Sequence, residues 1–416
     1  MKKIPMWIRL LQVGIAHACR TSIFQLLRWR TIMLALAFSL STVGGHAQEP
    51  RYRYVSLDQI ALPTGFTSFF PTAINDSGRV YGTICDATCG VTGFAYVKDG
   101  NLTVLPPVPS GSFSGPVNAR GTIGGSILVD PVNFIVRAAL FRGDKVELVP
   151  PLPGEQFAAV FALNDNDTAL VTSADASGTT TYELYRNGTA TPINFGQSIT
   201  NPFFGFWGTC RCINNGAIIE GIEGPGIFNG ARAFRFDTRN ANATILDPFP
   251  GDPAETLAWG LAINQAGNIL GYSFTLTAPY HERIGVWGPN GVFYTYLIET
   301  VSSNRLLFND NNLIVITEIF GLNVSYIVPR PGVRLNLADL VVNLPAGQDL
   351  FFINDLNNHG DMIGSSYAGA NFLLQRLDAG DSQSYPTPVV SNARRTLPPV
   401  VATMRNRFQQ PFGHLK

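Results

Sequence analysis

The chain has 416 residues, a formal net charge of zero, 45% hydrophobic residues and only 14% charged ones. So few charges, at a mean hydropathy of +0.12, exclude a disordered chain and a coiled coil, both of which need many more. Forty-one glycines, 28 prolines and 28 phenylalanines describe many short strands joined by tight turns.

The first 47 residues are expected to lie outside the fold. Residues 1–30 carry Lys2, Lys3, Arg9, Arg20, Arg28 and Arg30 and no acid. An apolar run follows from Ile32 to Leu40, and then Gly45-His46-Ala47. A basic region, a short apolar stretch and small residues read as a secretory signal peptide. The alternative is a membrane anchor, but the run is too short to span a bilayer comfortably. No second long apolar stretch exists, so no membrane span is expected after cleavage. The destination is then the periplasm or the exterior. The body, 48–377, carries 18 basic and 27 acidic residues, a net −9 that argues against nucleic acid as a partner.

The body repeats. An Asn that follows one or two apolar residues recurs at 75, 118, 164, 214, 264, 309 and 354, with spacings of 43, 46, 50, 50, 45 and 45. The predicted turn residues are Asn75, Asp76 and Gly78; Asn118 and Gly121; Asn164 and Asp165; Asn214 and Gly216; Asn264 and Gly267; Asn309 and Asp310; Asn354 and Asp355. Asn and Asp side chains accept bonds from backbone N–H groups two residues on, and Gly supplies the positive φ that closes the turn. Asp167 and Asn312 stand where copies three and six lack the glycine, and both residue types tolerate that geometry. A second strand follows each turn, as in Arg79-Val80-Tyr81-Gly82-Thr83. A third follows a variable loop, as in Phe94-Ala95-Tyr96-Val97. After a second tight turn, such as Asp99-Gly100, comes a fourth, as in Asn101-Leu102-Thr103-Val104-Leu105.

Such four-stranded antiparallel meanders cannot bury both faces alone, and stacking them around an axis does so. The competing geometry is a linear solenoid. Copy seven has third-strand material at Asn371-Phe372-Leu373-Leu374 but no fourth strand. A matching segment, Tyr52–Leu57, precedes copy one. The predicted fold is therefore all-β, a seven-bladed propeller over 48–377 whose N-terminal strand completes the last blade. The tail, 378–416, is rich in proline and reads as a flexible extension.

These units resemble the HAF-type extracellular repeat of exported bacterial proteins. The carried pattern is Ala-x-x-Ile-Asn-Asp-x-Gly-x-Val-x-Gly followed by Ala-Phe. Ala73-Ile74-Asn75-Asp76 with Gly78, Val80 and Gly82 fits, as does Ala262-Ile263-Asn264 with Gly267, Ile269 and Gly271. Ala233-Phe234 keeps the third strand, with Arg232 in place of the His that names the family. The resemblance implies export and repeat architecture, and no reaction.

For chemistry the signals are sparse. No G-x-S-x-G elbow, P-loop or dinucleotide loop occurs, so no cofactor is expected. His281 and His359 fall in loops. The Asp- and Asn-rich turns lack the carboxylate series of a calcium loop, so no metal is expected. Cys85, Cys89, Cys210 and Cys212 form an even set in an exported chain and are disulfide candidates, with the pairing open. A zinc site from the same four is disfavoured because the pairs lie far apart. Phe203, Phe204, Phe206 and Trp207 are the candidate binding residues, since exposed aromatic patches mark binding sites; a buried inner strand is the more ordinary explanation of the same residues. The expected role is non-catalytic binding of a protein or glycan through one loop face, by a monomer. The alternative is a propeller-type glycan hydrolase or lyase, with Glu220, Glu223 and Asp252 as candidate acids at the axial mouth.

Overall fold

The computed structural model describes residues 49–377, except 89–91, 107, 110–111, 205–210, 227–228, 278–281, 300–303 and 319–323. The leader, the tail, Cys89, Phe206, Trp207, Cys210 and His281 lie outside the described residues.

Each repeat folds into four short antiparallel strands because its β-branched and aromatic runs are cut at set intervals by residues that accept a left-handed backbone. Seven four-stranded sheets result, each in simple first-to-fourth order. Blades 1 to 6 span 68–104, 112–148, 155–192, 202–246, 257–299 and 304–336. The seventh is assembled from both ends of the ring: Arg51–Ser56 lies beside Asn371–Leu377, which continues to Met362–Ser365 and Phe352–Leu356. The protein is a seven-bladed β-propeller, and the N-terminal strand closes it. Its register runs from Arg51 opposite Leu377 to Ser56 opposite Phe372. The connector between blades 6 and 7 clasps the outer edge of that strand. Val342 N–H donates to the Tyr52 carbonyl at 2.9 Å, and Asn343 brackets Tyr54 with bonds of 2.7 and 3.0 Å.

The core lies between blades. Apolar clusters straddle the seams, such as Phe94 and Phe141 between blades 1 and 2, or Leu313, Ile353 and Tyr52 between blades 6 and 7. The first strands are innermost, and residues from all seven blades line one axial cavity. Five first strands carry a bulge at the same height, at the step Pro71/Ala73 in blade 1 and its equivalents in blades 2, 3, 5 and 7. A bulge re-aims a side chain, and Thr72, Leu261 and Asn354, the extra residues in blades 1, 5 and 7, line the cavity. The second-strand glycine of the repeat sits beside this feature. A Cβ on Gly271 would meet the Trp259 carbonyl oxygen at 1.8 Å, and one on Gly82 the Phe70 oxygen at 2.2 Å.

Two turn assignments need correction. In copy seven the turn is Asn357-Asn358-His359-Gly360, three residues beyond Asn354-Asp355. Gly360 N–H donates to the Asn357 carbonyl and Asn357 N–H to that of Asp361, as Gly78, Asn75 and Arg79 do in blade 1. Asn354 and Asp355 lie in the first strand instead. The Ile353-Asn354-Asp355 triplet imitates the signature, but the strand needs three more residues to reach the end of the sheet. In copy four the left-handed residue is Ala217 (φ 56°), not Gly216, because the turn closes on the third residue after the Asn. At that position Asp167 (φ 58°) and Asn312 (φ 59°) also adopt the left-handed backbone.

Candidate functional site: the axial mouth

The repeat Asn is required because its amide does two jobs at once. Its oxygen accepts from backbone N–H groups of its own turn: Asn164 Oδ1 holds Asn166 and Thr168, both at 2.9 Å. Its NH2 group reaches the next blade. The seven donor links run from Asn75 to Ala119 O, Asn118 to Asn164 O, Asn164 to Asn214 O, Asn214 to Asn264 O, Asn264 to Asn312 Oδ1, Asn309 to Asn357 O and Asn357 to Asn75 O, at 2.8–3.3 Å. They make a closed circle around the axis.

A second circle lies one residue on. The backbone N–H groups of Ala119, Asp165, Asn215, Gln265, Asp310 and Asn358 each donate to a side-chain oxygen of the next blade at 2.8–2.9 Å. The seam from Asp76 to Ala119 lacks this bond because Ala119 has no acceptor. Asp76, Asp165 and Asp310 thus meet the axis as acceptors for their neighbours. Among the described residues no group of three or more His, Cys, Asp or Glu is placed to hold a metal ion.

Below these circles the cavity, of about 150 Å³, is crossed by a strut. Arg211 of blade 4 reaches across the ring, donating to Asp355 Oδ1 of blade 7 at 3.2 Å and to the Leu356 carbonyl. Asp355 Oδ2 also accepts from Ile74 N–H of blade 1 at 2.8 Å. Arg305 donates to the Asn354 carbonyl at 2.8 Å and lies over the Phe352 ring at 4.9 Å. Burial lowers its pKa, and Asp355 partly restores it.

On the far side of the strut from the two circles the mouth is aromatic. The first-strand residue paired eight positions after the repeat Asn is Phe70, Phe113, Ala159, Phe203, Trp259, Arg305 and Phe352 in blades 1 to 7. Five of the seven are aromatic and all stand at one height around the axis. Phe70 is 47% exposed, Phe113 59% and Phe203 39%, whereas rings of the seams are buried. Phe203 also lines a side pocket of about 370 Å³ with Tyr182, Thr200 and Ile222. The mouth is thus a cup with a polar floor whose rim carries three exposed phenylalanines, with Trp259 and Phe352 half-buried at the same height.

Sequence reasoning found one of these five aromatics. Of its candidates, Phe203 is among them, while Phe204 is 4% exposed and packs with Phe195, Phe234 and Tyr182 in the seam. Phe70, Phe113, Trp259 and Phe352 went unnoticed. The usable signal was an aromatic five residues before the Asn, in Phe70, Phe113 and Trp259, which Phe352 joins once copy seven is aligned on Asn357. The three candidate acids are not a constellation. Glu220 is buried in the seam facing Gly260 of blade 5. Glu223 accepts from Thr200 and Asn201, and Asp252 pairs with Arg283 at 3.4 Å. Of the four candidate cysteines, Cys85 and Cys212 are both buried, at 4% and 0% exposed.

No family pattern matches the chain and no curated protein matches it. Solved structures are similar. The β-propeller domain of the Trilobed protease from Pyrococcus furiosus is 8% identical, over 75% of this chain and 98% of that one, at a TM-score of 0.48. YCF48 bound to D1 peptide is 10% identical, over 82% and 98%, at 0.43. TolB from Acinetobacter baumannii is 12% identical, over 62% and 63%, at 0.40. The fold assignment rests on the strand pairing itself.

Proposed function

We propose that this is an exported, non-catalytic binding protein that takes a protein or glycan ligand at the aromatic mouth. The observation that carries the reading is the exposure of Phe70 and Phe113 at a position repeated around the ring. Solvent-exposed rings have no folding role to repay their hydration cost, and several of them at one height on the rim of a cup mark a ligand site. The polar floor of Arg211, Arg305 and Asn354 supplies groups that can orient what enters. Kinship with HAF-type repeat proteins belongs to the same proposal, supported by the double role of the repeat Asn. Export rests on the leader, and the mature protein is expected to begin at Gln48 when its N-terminus is sequenced.

The test is binding to glycan and peptide arrays by the wild type and by the F70S/F113S variant. Wild-type binding without turnover, lost in the variant, is the expected result. Equal binding by both proteins would overturn the assignment of the mouth.

A further inference from the structure

Charge is divided between the two faces of the ring. The face with the aromatic mouth is built from the second-to-third-strand loops and the connectors between blades. Counting these and the strand-end residues that flank them, it holds thirteen acidic residues and one arginine among the residues whose side chains are described. That arginine, Arg232, pairs with Asp247 at 3.7 Å. The opposite face, built from the two kinds of tight turn, holds eight acidic and nine basic residues by the same count. Arg137, Arg283 and Arg334 rise from the strands to pair with Glu155, Glu255 and Glu318, and a large acidic excess remains. Almost all of the net negative charge of the body therefore lies on one face.

This asymmetry is not required by folding. Turns of both faces need Asx-type acceptors, yet the inner turns use Asn as readily as Asp, whereas loop acceptors such as Asp130 and Asp175 are carboxylates. Asparagine would cap the same N–H groups without charge. Hydrogen bonds from Asn133 and Ser177 hold the Asp130 and Asp175 carboxyls below the usual range, so both are charged near neutrality.

We infer that the aromatic mouth docks a cationic, arginine- or lysine-bearing segment of another polypeptide. The inference rests on the binding role proposed above and names its partner class. An acidic rim attracts such a segment over a Debye length and sets its orientation. The Phe faces then accept guanidinium groups, which are weakly hydrated and stack on aromatic rings. Arg305 over Phe352 shows that stacking geometry at the mouth already. A polyanion would meet the rim as a like charge.

The test uses the ring chain with its tail, and nona-arginine, nona-glutamate and a neutral Ser/Asn nonapeptide as probes, with a set of neutral oligosaccharides. Nona-arginine is expected to bind, with affinity falling about tenfold or more between 50 and 300 mM salt. The quadruple variant D130N/D175N/D247N/D339N keeps an acceptor oxygen at each position and is expected to lose about tenfold in affinity. The F70S/F113S variant is expected to lose a similar factor; unchanged binding there would reduce the effect to diffuse charge and overturn a docking site at the mouth. A neutral probe held by the wild type and lost in F70S/F113S, with nona-arginine ignored, would leave the mouth as a site and sink its charge preference. No difference between wild type and F70S/F113S with any probe would sink both readings. Binding that appears only when residues 378–416 are removed would mean that the chain's own basic tail fills the face, against an external partner.

Discussion

Asn164 shows how much one side chain can carry. Two of its bonds fix its own turn and one crosses the seam to Asn214. Asn164→Ala leaves buried groups on both blades without partners and is expected to cost about 2–4 kcal/mol, read from the urea midpoint at unchanged m. Ala217 is the reverse case. A left-handed backbone costs a non-glycine residue about 1–2 kcal/mol, so Ala217→Gly is expected to stabilise by about 1 kcal/mol. Glu220 stands where Leu170 and Leu270 fill the equivalent seam positions in blades 3 and 5. Both its carboxyl oxygens are buried without a hydrogen-bond partner, and burial raises its pKa well above the ordinary value. The unfolded carboxyl ionises first as pH rises, while the folded one keeps its proton. The contribution is therefore fully present below about pH 4.5 and is lost as pH climbs toward the folded pKa. Glu220→Gln is expected to flatten that part of the stability profile between pH 4 and 8. Glu220→Leu is expected to add about 1–3 kcal/mol at neutral pH, since no polar group is then left buried. An unchanged pH slope in Glu220→Gln would mean that the carboxyl reaches water.

At the scale of elements the seventh first strand is the instructive one. Asn354 lines the cavity, and no side-chain hydrogen bond holds it; Asn357 closes both the turn and the circle back to Asn75. Asn357→Ala is expected to destabilise by about 2–3 kcal/mol and Asn354→Ala by less than about 0.5, a contrast that thermal or urea unfolding reads directly. The strand pattern of most blades was legible beforehand, because period-two alternation and turn residues are local properties. The bulges were not. An extra residue in a strand leaves the composition unchanged and declares itself only through its partner's register. That is why Asn354 passed for the repeat Asn, and why the aromatic mouth, which is defined by register, stayed hidden except for Phe203.

For the whole molecule, closure is the dominant fact. Tyr52 is fully buried at the seam with blade 6, and the strand that bears it completes blade 7. Removing residues 1–57 is expected to abolish the single cooperative unfolding transition, because the last blade loses its outer strand and the connector 337–351 loses what it clasps. Tyr52→Ala alone is expected to cost about 3–5 kcal/mol. A truncated chain that still unfolded in one transition at the wild-type midpoint would show that the ring does not depend on this strand.

Repeat number, the four-stranded unit and the offset strand were determined by the sequence, because each depends on spacing and on the conformational preferences of single residues. The strut from Arg211 to Asp355, the aromatic mouth and the acidic face were decided by the tertiary structure alone. Each joins side chains from blades far apart in the chain, and such neighbours exist only once the ring has closed.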